Sequence, residues 1–156
     1  MSWETGSERI RELLSAGELG QVPPDTGLAR RMLADATRHL VTAAAAEATG
    51  DLPGAYQLAY DALRKSAASL LEAQGLRATS RGGHIAVQDA ATAQFGSSIR
   101  ALRSFSRLRR ARNSFEYPST ETPGPSGDDV NDAIRVAREV NDAAAKILDS
   151  EVLSPW

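Results

Sequence analysis

An arginine on the apolar side of its own helix needs either a partner or a task, and Arg112 is placed in that way. With about 100° between successive residues, Leu102, Phe105, Leu108 and Phe115 fall along one arc of the segment that Pro118 ends. Arg100, Arg103, Arg107 and Arg110 fall along another. Arg112 lies with the apolar set, between Leu108 and Phe115. A guanidinium keeps its proton under ordinary conditions, so turning one towards a core or cleft is costly unless it is paired or binds an anion. Glu116 stands four residues on, at the spacing of an ordinary helix pair. Within a cleft, the same pair would fix the direction of the guanidinium. Tyr117, at the helix end, carries a phenol able to cross a groove.

The two histidines differ in setting. His84 follows Arg81-Gly82-Gly83 at an expected helix start, where an imidazole can cap, touch a phosphate or carry a proton. Structural and functional roles are both open there. His39 lies between Met32 and Ala43 on the apolar side of an earlier helix and reads as a half-buried, hydrogen-bonded core residue. No metal site and no cofactor is expected. Cysteine is absent, the histidines are too few for a multi-histidine site, and the paired Glu-x-x-His units of a di-iron bundle are missing. Gly82-Gly83 is too short for a phosphate-binding glycine loop, and no nucleophile elbow occurs. Most enzyme classes are thereby disfavoured.

The net charge is −2, yet six arginines fall between Arg100 and Arg112, and only two lysines, Lys65 and Lys146, occur. A basic face on a mildly acidic chain points to a specific phosphate-bearing or acidic partner rather than bulk coating of nucleic acid. A solvated helix face is the plain alternative. The 156 residues suffice for one domain with a core. No apolar run approaches the roughly 18 residues of a membrane span, and the polar start predicts a soluble, cytoplasmic protein without membrane contact.

Helical spacing recurs along the chain and strand alternation does not. Six helices are expected. The first opens near Ser7, where Thr5 to Glu8 has capping-box spacing, and it ends before Gly20 and Pro23-Pro24. The second runs from Asp25 or Thr26 to Thr49-Gly50, and the third from Pro53 to Gly75. A fourth spans His84 to Phe95. The basic helix follows, capped by Ser97 or Ser98 and stopped by Pro118. After a loop rich in proline and glycine, the last helix starts at Ser126-Gly127-Asp128-Asp129. Its apolar stripe runs through Val130, Ile134, Ala137, Val140, Ala144, Ile147 and Leu148. The organisation is an N-terminal helix and linker over 1–24, a bundle over 25–150 and a loose tail over 151–156, with up-and-down connections. Whether the first helix packs on its own chain or on a partner is open.

Taken in order, three segments resemble the HEPN family: Arg112-Asn113-x-x-x-Tyr117; Gly54 to Lys65 followed by Leu70 to Leu76; and Ser80-Arg81-Gly82-Gly83-His84. The likeness covers about residues 25 to 150 and is greatest for an actinobacterial branch of that family. It implies an all-α, up-and-down helical bundle of HEPN type with a short extra N-terminal helix, assembled as a homodimer. Family members pair arginine–polar–histidine motifs in a dimer cleft and cut RNA without a metal. Many act as toxins, antitoxins or phage-defence components beside a nucleotidyltransferase. By that resemblance Arg112 would hold the scissile phosphate and Asn113 would orient it, while Arg81, Arg103, Arg107, Arg109 and Arg110 are the candidate RNA or phosphate contacts among the local cations. A dimer is expected on physical grounds too, because an arginine facing the apolar arc of a lone bundle is hard to satisfy.

Tyr117 occupies the position of the motif histidine. A phenol with a pKa near ~10 moves protons poorly at neutral pH compared with an imidazole near ~6.5. Either His84 supplies the missing group or the site binds without cutting. Tyr117 is also the candidate acceptor of a nucleotidyl group, since partner enzymes silence some HEPN toxins by modifying a tyrosine beside the motif. The leading expectation is a HEPN component of a toxin–antitoxin or phage-defence pair that binds a nucleotidyltransferase and RNA through a degenerate motif. An active metal-independent ribonuclease using Arg112 with His84 or Tyr117 is the second. A helical dimerisation scaffold with no nucleic-acid role is the third.

Overall fold

The computed structural model describes residues 3–156. Six α-helices build it: α1 Ser7–Ser15, α2 Thr26–Ala48, α3 Leu52–Glu72, α4 Gly83–Phe95, α5 Phe105–Glu116 and α6 Gly127–Asp149. Side-chain caps start three of them. Asp25 accepts from the Leu28 amide at 2.9 Å, and Asp51 accepts from Gly54 at 2.9 Å. Ser126 and Asp129 form a reciprocal capping box. Helix α3 is central and packs against α2, α4, α5 and α6. Buried alanines make this close approach possible, with Ala29, Ala36 and Ala43 on α2 and Ala55, Ala59 and Ala62 on α3. One polar device crosses the core. Asn141 of α6 donates to the Leu33 carbonyl and to Ser66 Oγ, and accepts from Thr37, so three helices share one amide.

Several features depart from the expected helix boundaries and connections. The N-terminal helix has no capping box. Its N-cap is Gly6 at φ 74°, with no side-chain cap, and a Cβ there would lie 2.5 Å from the Ala93 backbone. The residue must be glycine so that α1 can seat on α4. Ile10 and Leu13 are buried, and the Trp3 indole donates to the Gln94 carbonyl at 3.1 Å. Thus α1 packs on its own chain. Two short strands, β1 Leu19–Gln21 and β2 Leu76–Ala78, pair antiparallel. Three residues are too few for alternation to register in a sequence, and the pairing depends on Gly75 at φ 76° turning the chain back after α3. The expected linker is therefore part of the fold.

The basic helix is not continuous. A 3-10 segment, Arg100–Ser104, precedes α5, and neither Ser97 nor Ser98 caps it. Three residues per turn align Ile99, Leu102 and Phe105 on one side, and all three are buried. Core filling therefore selects the tighter winding. The C-terminal residues are also tied down rather than loose. The Trp156 amide donates to the Gln74 carbonyl at 2.9 Å, and its carbonyl accepts from Gln21. Among the described residues no helix is long and apolar enough to cross a membrane.

Candidate functional site: an arginine, a tyrosine and a histidine between α3, α4 and α5

Helix α5 turns Arg112 inward, onto the face of α3 that carries Gln57 and Tyr60. The Arg112 side chain is only 20 % exposed. Its Nε donates to Gln57 Oε1 at 2.8 Å. Its Nη1 reaches Asn113 Oδ1 at 3.1 Å and Glu116 Oε2 at 2.8 Å. The guanidinium carbon stands 5.5 Å from the centre of the Tyr60 ring, a cation–π distance. Among the described residues Nη2 has no hydrogen-bond acceptor. Arg112 is therefore fixed on three sides with one donor edge left over. These contacts weaken the physical reason for expecting a dimer, because one chain supplies partners for all but the Nη2 edge.

Tyr60 joins Arg112 to the predicted histidine. Its hydroxyl lies 3.0 Å from His84 Nδ1, and the Phe105 ring packs edge-on against it at 6.0 Å. Burial pushes the Tyr60 phenol up to about 12, so it stays protonated. Burial also lowers the His84 pKa, and the Arg64 and Arg112 charges lower it further. The imidazole is therefore neutral near pH 7. If the phenol donates to Nδ1, Nε2 carries the proton. If Nδ1–H donates to the phenol oxygen, Nε2 is a free acceptor, the form that can take a proton from an alcohol.

His39 is half-buried, and its Nε2 lies 2.7 Å from Lys65 Nζ. Its pKa is lowered by burial first and by Lys65 second. Both histidines thus take up protons more readily in the unfolded chain. Their contribution to stability is complete above about 6.5, the ordinary histidine value. It is lost as pH falls from there towards the lowered folded-state values. The urea midpoint is expected to fall between about pH 7.5 and about pH 5.5, and His39→Gln should reduce that fall. An unchanged slope against pH in the variant would remove the histidine from the account.

The remaining residues singled out in the sequence are scattered. Tyr117 is 76 % exposed and does not line the groove of about 440 Å3 that Arg112, Gln57, Tyr56, Phe115 and Glu116 form beside the Pro118–Gly124 loop. The phenol does not cross this groove. Arg107 is paired with Asp132 of α6 at 2.8 Å, and Arg109 donates to Gln88 of α4 at 3.0 Å. Arg81 leans on the Ala16 carbonyl at the end of α1. Arg100, Arg103 and Arg110 are exposed. Sequence reasoning assigned no role to Gln57 or Tyr60, which hold Arg112 and His84. Sequence spacing does not reveal these contacts, because Gln57 and Tyr60 lie more than fifty positions from Arg112. No group of three or more histidine, cysteine or acidic side chains able to hold a metal occurs among the described residues.

An all-α bundle with an oriented arginine near the end of its penultimate helix defines the class. A family model described as HEPN domain matches residues 29–148, most of the chain. The chain belongs to the HEPN family. The match defines the family and not a branch within it. HEPN domains are generally associated with ribonuclease or toxin–antitoxin roles. Neither a curated protein nor a solved structure matches the chain.

Proposed function

We propose that this protein is the HEPN component of a bacterial toxin–antitoxin or phage-defence pair, and that it cuts RNA without a metal. The observation that carries the reading is the convergence of Arg112 and His84 on Tyr60. An arginine and a histidine separated by twenty-eight positions flank one phenol. In that arrangement His84 would take the place of the histidine that the Arg112-to-Tyr117 stretch lacks. The free Nη2 edge of Arg112 would bind a non-bridging phosphate oxygen. His84 Nε2 would accept the proton of the ribose 2′-hydroxyl as that oxygen attacks phosphorus. The bond to the 5′-oxygen breaks, and a proton from the imidazolium completes the leaving alcohol. A cyclic phosphate and a 5′-hydroxyl end result. Arg103 and Arg110 offer flanking phosphate contacts, and a homodimer would extend the cleft.

The test is incubation of the purified protein with total cellular RNA and tRNA in EDTA. Cyclic-phosphate ends in the wild type, and their loss in His84→Ala, are the expected result. Intact RNA in every lane would overturn the cleavage reading. Binding itself should weaken with salt. For about three to four phosphate contacts on a single strand, the slope of log K against log salt is roughly −2 to −3. A filter-binding series that stays flat would indicate a protein partner in place of RNA.

A second reading has its own support. Tyr117 projects from the end of α5 and is 76 % exposed. A phenol so placed is open to nucleotidyl transfer by a partner enzyme, which would set a bulky anion beside Arg112. Mass spectrometry after incubation with a nucleotidyltransferase encoded beside it tests this. An adduct that persists in Tyr117→Phe would rule this tyrosine out.

A further inference from the structure

A second groove lies between α2, α3, β2 and α4, apart from the one that holds Arg112. It measures about 450 Å3, within the roughly 300–1,000 Å3 of small-molecule sites. Its walls are mostly aliphatic: Leu28, Met32, Ala68, Leu71, Leu76 and Val87. Two charged features interrupt them. Glu72 is buried but fully engaged, with both oxygens taken by Arg77 at 2.5 and 3.2 Å. Arg64 is not. Its Nε is buried without a hydrogen-bond partner, and among the described residues its one ion-pair contact is Asp61 at 3.8 Å. The rest of the guanidinium, on a side chain 27 % exposed along the lining of an apolar groove, can take a further acceptor.

We propose that this groove binds a small amphipathic carboxylate, with its head on the Arg64 guanidinium and its apolar body along Leu28, Met32, Ala68 and Leu71. A guanidinium and a carboxylate match in charge and in planar geometry. A phosphate dianion would leave one charge unpaired beside aliphatic walls and near the Glu72 carboxylate, which disfavours it. The groove is too small for a folded partner's element and suits a medium-length acyl chain. Its position gives binding a consequence. After burial, the Arg64 charge is the next largest cause that lowers the His84 pKa, so an anion on Arg64 would raise it. The ligand would thus tune the proton state of His84 from the neighbouring groove. Binding itself does not depend on whether the protein cuts RNA.

The probes are sodium octanoate, octan-1-ol and sodium phosphate, titrated calorimetrically into the full chain. Octanoate should bind, with the alcohol and phosphate each at least about tenfold weaker. Arg64→Gln should weaken octanoate by about tenfold or more. Ala68→Leu, which keeps the guanidinium but fills the floor, should also lose it, and decides the matter if Arg64→Gln does not fold. In NMR the His84 titration should move to higher pH with octanoate, while that of His39 stays. No octanoate binding at about 10 mM, equal binding of octanol, or wild-type affinity in both folded variants would each overturn the proposal.

Discussion

Arg112→Ala is expected to abolish RNA cleavage, by about 10²-fold or more, while the chain keeps its helical circular dichroism. The effect is large because the guanidinium is already aimed. Gln57, Asn113, Glu116 and the Tyr60 ring hold it before any substrate arrives, so no reorganisation is needed when charge develops on phosphorus. The fold should survive because the groups left behind can reach water. Glu116 is exposed and Gln57 is part-buried, and a half-exposed pair of this kind contributes about 1 kcal/mol or less. Arg112→Lys should recover little, since an ammonium cannot donate to Gln57 and Glu116 together and still present a flat edge. Glu116→Gln should act in the opposite direction and tighten RNA binding, because it removes the anion that competes with phosphate. Rates for these variants in EDTA, with affinity measured separately, give the outcome. Wild-type cleavage in a folded Arg112→Ala would refute the assigned role.

Phe105→Ala should destabilise the protein strongly, costing about 3–5 kcal/mol. Phe105 is fully buried. It stands where the 3-10 segment becomes α5 and packs edge-on against Tyr60 at 6.0 Å. Its loss leaves a cavity at the point that sets the register of α5, and with it the direction of Arg112. Phe115→Ala should cost distinctly less. That ring is half-exposed and touches Tyr56 edge-on at 4.9 Å on the groove wall. Urea denaturation of both variants measures the difference through the midpoint at constant slope. A Phe105→Ala midpoint within error of Phe115→Ala would mean that the α3–α5 junction relaxes around the gap.

Much of the scaffold was legible because local chemistry specifies it. Asp25 and Ser126 cap the helices expected to start there, Asp51 caps the one expected to open at Pro53, and Pro118 and Gly75 stop theirs. The inward direction of Arg112 followed from its place on the wheel, and its pairing with Glu116 from four-residue spacing. The 3-10 winding over Arg100–Ser104 and the pairing of β1 with β2 were not legible. Both reflect core filling between segments far apart in the chain, which local propensity does not report. The apparent basic stripe was misleading for the same reason. Arg107 looks like part of one solvent face until α6 brings Asp132 to it, and Arg109, expected to contact RNA, is held by Gln88 of α4.

By itself the sequence determined the helix count and the one arginine that demanded a partner, because each is written in residues within a turn or two of one another, and it determined the family through three local segments in order. The tertiary structure alone decided what Arg112 meets. Docking α5 and α4 onto the same face of α3 places Tyr60 beneath the guanidinium and His84 against its hydroxyl. That contact set depends on how three helices close around a core, and periodicity within a single helix carries no information about its neighbours.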